Sequence, residues 1–140
     1  MSTRSAIGFV EYDGTIESIY CHWDGYPEGV GAILANHYTD IEKVGDLLDL
    51  GSLSILGTEI GTKHDFDKHR PEDGCLAYGR DRGEENVQSI VTNSLEEFFN
   101  AYEWSEYFYW FDGNKWFFCS SNDRTPKDLF EYLAYNSIAA

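Results

Sequence analysis

Residues 106–120, EYFYWFDGNKWFFCS, constrain the fold more than any other stretch of the chain. Two runs of strand-favouring aromatic residues flank Asp112-Gly113-Asn114, a turn sequence. Successive side chains of a strand point to opposite faces, and here both faces carry aromatic rings. Such a hairpin belongs in the middle of a sheet that is covered on both sides. Its rings are therefore read as core. A base-stacking platform would need more positive charge than the neighbouring Lys115 supplies.

A second hairpin is predicted near the N-terminus, where AIGFVEY and TIESIYCHW flank a two-residue turn at Asp13-Gly14. Pro27 then opens a helix, with Val30, Ile33, Leu34 and His37 or Tyr38 along one apolar stripe. In TDIEKVGDLLDLG, the spacing of Thr39 and Glu42 predicts a capping box. Ile41, Val44, Leu47 and Leu48 form the inward stripe, and Gly51 the stop. Ser94 and Glu97 repeat the capping spacing before Leu95, Phe98, Phe99 and Tyr102. Thr125 and Pro126 are expected to cap and start a last helix carrying Leu129, Tyr132 and Leu133. SLSILG is a connector or a turn of helix. The stretch 57–93 reads as irregular, with short strands in CLAYGRD and NVQSIVT. The predicted architecture is a single α+β domain over residues 1–140. Two β-hairpins contribute to a mainly antiparallel sheet, packed with about four short helices.

The 42% hydrophobic and 16% aromatic content excludes a disordered chain. With 25 acidic against 10 basic residues, the formal net charge is −15. That balance argues against direct nucleic-acid binding, which needs a basic footprint. It leaves open a basic protein partner, including one that itself binds nucleic acid. Half of the Lys and Arg residues fall between Lys63 and Arg82. Three cysteines without paired spacing suit a reducing, cytoplasmic setting. No signal-peptide core and no apolar run of about 18 residues is present, so no membrane partner is expected.

Among reactive groups, Cys21, His22, His64, His69 and Cys75 are zinc-ligand types, but their spacing matches no metal motif. The His64-x4-His69-x5-Cys75 spacing is loose and lies in an acidic loop. The expectation is no metal and no cofactor, with solvated histidines and cysteines in the core. Cys21 and His22 are adjacent on a strand, point to opposite faces, and do not make a nucleophile–base pair. The same alternation splits the corner SIYCHWDGYPEGVG. Ile19, Cys21 and Trp23 are assigned to the core, and Tyr20, His22 and Asp24 to a polar lining. Asp24-Gly25 makes a turn in which the Asp24 carboxylate accepts backbone N–H groups. Arg80 and Arg82, in AYGRDRGEE, are either an anion-recognition element or internal salt-bridge partners. Arg4 is a third candidate cation. No phosphate-loop, dinucleotide or serine-hydrolase motif occurs.

The start MSTRSAIG, the run IYCHWDGYPEGVGAIL, the segment LGSLSILG and the motif AYGRDRGE resemble a family of small bacteriophage and prophage proteins. The resemblance covers residues 1–60 and 77–85 and fades after residue 90. It implies a phage-type accessory protein in a bacterial host cytoplasm and supplies no mechanism. Its shared motifs fall on Arg4, Tyr20–Pro27 and Arg80–Glu84. Two functions are expected on these grounds. One is a non-enzymatic acidic inhibitor of a host defence or nucleic-acid-binding protein. The other is a small-ligand or nucleotide-binding protein, sequestering or processing, whose site is Arg4, Tyr20, His22, Asp24, Tyr26, Arg80 and Arg82.

Overall fold

The computed structural model describes residues 2–139. One mixed sheet organises the chain. The N-terminal hairpin pairs β1 (Ser5–Val10) with β2 (Ile16–Cys21) antiparallel. Its connection is longer than a two-residue turn. Glu11 N–H donates to the Thr15 carbonyl, and Tyr12, Asp13 and Gly14 form the loop. The aromatic hairpin is β6 (Tyr107–Phe111) and β7 (Trp116–Ser120). The two hairpins join by parallel pairing of β1 with β6, from Ser5 opposite Tyr107 to Phe9 opposite Phe111. Beside β2 lie β3 (Leu53–Ile55), parallel at Cys21, and β5 (Ile90–Thr92), antiparallel at Ile16–Ser18. The edges are β4 (Leu76–Ala77) on β3 and β8 (Lys127–Asp128) on β7. Antiparallel pairs predominate, so the α+β class with a mainly antiparallel sheet is observed.

Strand alternation builds two cores. On one face Ile7, Ile19, Cys21, Tyr109, Phe111, Trp116 and Phe118 pack under helices. These helices are α1 (Ala32–His37), α2 (Ile41–Asp49) and α5 (Leu129–Ala139). On the other face Ala6, Ile16, Phe108, Trp110 and Cys119 pack under α4 (Leu95–Ala101), through Phe98, Phe99 and Tyr102. The aromatic hairpin is thus covered on both sides, because each face carries rings that only a covering layer removes from water.

Several local expectations change. The cap of α2 is Asp40, whose carboxylate accepts the Lys43 N–H at 2.8 Å, and Ile41 is 55% exposed. Ser94 does cap α4, accepting the Glu97 N–H at 3.1 Å. The segment opened by Pro27 begins as one π-helical turn, Pro27–Gly31, before α1. Residues 127–128 pair with β7, so α5 starts later than Pro126, and Asp128 accepts the Glu131 N–H. SLSILG contains β3. CLAYGRD divides into β4 and the short helix α3 (Tyr78–Arg82). Among the described residues, no helix is long and apolar enough to cross a membrane.

Candidate functional site

The corner after β2 is held from three sides. Ser5 pairs with Cys21, which sets Arg4 and His22 side by side one residue beyond. His22 N–H and Trp23 N–H donate to the Leu53 and Ser54 carbonyls, and Gly25 N–H donates to the Thr3 carbonyl. From the core below, Tyr109 Oη donates to the Gly25 carbonyl at 2.6 Å. The backbone here is too close-packed for side chains. A Cβ on Gly25 would lie 2.7 Å from the Thr3 oxygen, and one on Gly29 would lie 2.3 Å from the Asp24 oxygen. Gly29 thus serves backbone approach. Asp24 makes the turn through its main chain, at φ 58° with its carbonyl accepting Val30 N–H at 2.8 Å. The expected carboxylate cap is absent, and that carboxylate faces solvent.

Of the predicted site residues, the structure brings Arg4, Tyr20 and His22 together. Tyr20 Oη lies 2.5 Å from His22 Nδ1. Burial raises the Tyr20 phenol to about 12 against the opposing pull of Arg4. Tyr20 therefore stays protonated and donates, leaving His22 with its proton on Nε2. Burial and then Arg4 hold the His22 imidazole below its ordinary range. Two residues the sequence reading missed complete the patch. Trp104, from the loop before β6, sits edge-to-face on Tyr20 with ring centroids 4.6 Å apart, and the Arg4 guanidinium lies 6.0 Å from its ring. Trp23 stacks edge-to-face on His22 at 4.8 Å and is 42% exposed. Its assignment to the core is therefore corrected: the chain has left β2 by residue 23, so strand alternation no longer applies. Tyr26, 40% exposed, folds over Gly29 and makes no ring or hydrogen-bond contact with this group.

Arg80 and Arg82 do not join the corner. The Arg80 guanidinium makes two bonds to Asp81, from Nε to Oδ1 at 2.9 Å and from Nη2 to Oδ2 at 3.1 Å. Its remaining donors hold the Ile60, Gly61 and Cys75 carbonyls. Asp81 also accepts from the Ala77 and His64 amides. Burial pushes the Asp81 carboxyl up, but Arg80 and the two amides outweigh it and hold it below the usual carboxylate range. Arg82 pairs with Glu84 and lies over the Phe66 and Tyr78 rings at 4.5 and 4.9 Å. Both guanidiniums are committed internally. The salt-bridge alternative accounts for them, and among the described residues the partners of both guanidiniums lie outside the corner of Tyr20, His22 and Asp24.

No thiol is available as a nucleophile. Cys21 is buried on the opposite face from His22, and burial pushes it to about 12. Burial likewise pushes Cys119 to about 12 and raises Cys75, whose Sγ lies 3.4 Å from Tyr38 Oη. Cys75 therefore turns away from His64 and His69. Among the described residues, His64, His69 and Asp73 are the group whose ligand-type atoms all lie within 4.8 Å of one another. No family model matches the chain, and no match is found among curated proteins or solved structures.

Proposed function

We propose that this is a phage-type accessory protein that acts without catalysis, as an acidic ligand for a basic surface on a host bacterial protein, such as a defence or nucleic-acid-binding factor. One observation carries the reading: seven of the ten cations contact a carboxylate or a ring of the same molecule, while the acids face outward. Lys43, Arg70, Arg80, Arg82 and Lys115 each pair with a carboxylate. Arg4 and Arg124 lie over the Trp104 and Phe99 rings. Among the described residues, Asp81 is the only buried acid. On α2, Glu42, Asp46 and Asp49 stand exposed at i, i+4 and i+7, opposite buried Val44, Leu47 and Leu48. Their rise places these charges about 4.5–6 Å apart along the axis. This is sparser than the ~3.4 Å per-strand spacing of duplex phosphates, but of the same sign and linear form. A basic groove shaped for phosphate gains Coulombic attraction from such a row, and added salt screens it.

The test is affinity capture from bacterial lysate at low and at physiological salt, beside a variant carrying Glu42→Gln, Asp46→Asn and Asp49→Asn. The expected result is a basic partner retained by the wild type, released by salt and lost by the variant. Absence of a partner at both salt concentrations, or equal capture by the variant, rejects the reading.

The small-ligand alternative is favoured by one observation, the exposed Arg4 guanidinium beside Trp104 and the outward-facing His22. It is now a patch that excludes Arg80 and Arg82. A thermal-shift panel of nucleotides checks it: a rise in Tm that Arg4→Gln abolishes supports it, and no rise with any nucleotide removes it.

A further inference from the structure

We propose that His64, His69 and Asp73 form a binding site for a divalent transition metal of the zinc class. This inference is independent of the protein-partner reading. His64 Nε2 and His69 Nδ1 face each other at 2.9 Å, and an Asp73 carboxylate oxygen completes a group within 4.8 Å. Zinc–nitrogen bonds of about 2.0–2.1 Å in tetrahedral geometry set the two nitrogens about 3.3 Å apart. To admit the ion the hydrogen-bonded imidazoles need to separate by less than about half an ångström, and His69 needs to carry its proton on Nε2 in place of Nδ1.

The surroundings already orient the ligands. His64 Nδ1 lies 2.7 Å from the Thr62 carbonyl oxygen and 3.6 Å from Asp81 Oδ1. A proton on Nδ1 is donated to that carbonyl, so the Nε2 lone pair points into the cluster. An imidazole backed by a carbonyl and a carboxylate is the outer-shell arrangement that fixes the tautomer of metal-binding histidines. The His64 amide is itself bonded to Asp81 Oδ1 at 3.2 Å. Asp73 Oδ2 accepts the Arg70 N–H at 2.9 Å, which orients the carboxylate. The base of the loop is clamped by the Gly61–Gly74 bridge and by Arg80, which holds the Ile60, Gly61 and Cys75 carbonyls. The ligands thus stand on a closed loop anchored to the sheet.

Two imidazoles and one carboxylate select zinc-class ions over magnesium or calcium, which prefer oxygen ligands. Three protein ligands leave a further position for water or for a group from a bound partner.

The experiment is titration of the untagged protein with Zn²⁺ by calorimetry, together with imidazole NMR. One Zn²⁺ is expected per chain. The His64 and His69 ring resonances shift, those of His22 and His37 do not, and Mg²⁺ at the same concentration has no effect. His69→Ala and Asp73→Asn each weaken binding by about 10–100-fold or more. The NMR arm uses only the wild type, so it stands even where a variant folds poorly. No saturable uptake, undiminished affinity in both variants, or shifts at His22 or His37 in place of the pair would falsify the site.

Discussion

Arg80 and Asp81 form a two-point ion pair in which the carboxylate is completely buried and the Arg80 side chain is 17% exposed. Removing the cation strands that carboxylate and frees the three carbonyls Arg80 holds. Arg80→Ala is therefore expected to cost about 3–5 kcal/mol of stability. Arg82→Ala removes an exposed pair and a cation–ring contact, worth about 1 kcal/mol or less. Urea denaturation of the two variants checks the order. A larger loss at Arg82 would contradict the assignment of Arg80 as the internal clamp.

His22 predicts a pH dependence. Burial and Arg4 hold its imidazole below the ordinary 6.5 in the folded chain. Between the folded midpoint and about 6.5 the unfolded chain binds more protons, so stability rises with pH there. The contribution is present above about 6.5 and is lost as pH falls through the folded midpoint. Arg4→Gln removes a repelling charge and is expected to raise the His22 midpoint. An NMR titration reads this directly, and an unchanged or lower midpoint counts against the Arg4–His22 juxtaposition.

The corner glycines should separate sharply from the helical one. Gly25→Ala and Gly29→Ala press a Cβ against backbone oxygens at 2.7 and 2.3 Å. Each is expected to cost about 1–3 kcal/mol or more, as overpacking does. Gly45 lies inside α2 with no atom within 4 Å of an added Cβ. Gly45→Ala should stabilise by about 0.5–1 kcal/mol, since glycine weakens a helix interior by that amount. Thermal unfolding of the three variants gives the comparison.

Tyr109 links the corner to the core through its bond to the Gly25 carbonyl, and burial holds its phenol protonated. Tyr109→Phe keeps the ring and leaves that acceptor without its partner, at a cost of about 1–3 kcal/mol. Hydrogen exchange should quicken at the Gly25 and Val30 amides. If global stability falls with no local change there, the bond does not pin the corner.

Part of this could be read from residues in order. The aromatic alternation of residues 107–118 announces a strand pair covered on both faces, and Ser94 with Glu97 marks a helix start; both signals are local. Trp23 misled because the period of two was carried past the end of β2. Thr39 misled because Asp40, the next residue, competes for the same cap and wins. The candidate site was legible only in part. Arg4, Tyr20 and His22 stood out singly, but Trp104 lies more than 80 residues from Tyr20 and carries no local mark. Asp73 was hidden among many carboxylates.

The sequence by itself determined the class of fold, the acidic surface and the two hairpins, because period, turn chemistry and charge are properties of short segments. Only the tertiary structure decided which residues share a place. The parallel join of β1 to β6 carries Trp104 to Arg4 and Tyr20. The closure of the 57–75 loop turns Arg80 inward and sets His64 against His69. Those outcomes depend on pairings between distant segments, whose energy resides in contacts that no short stretch contains.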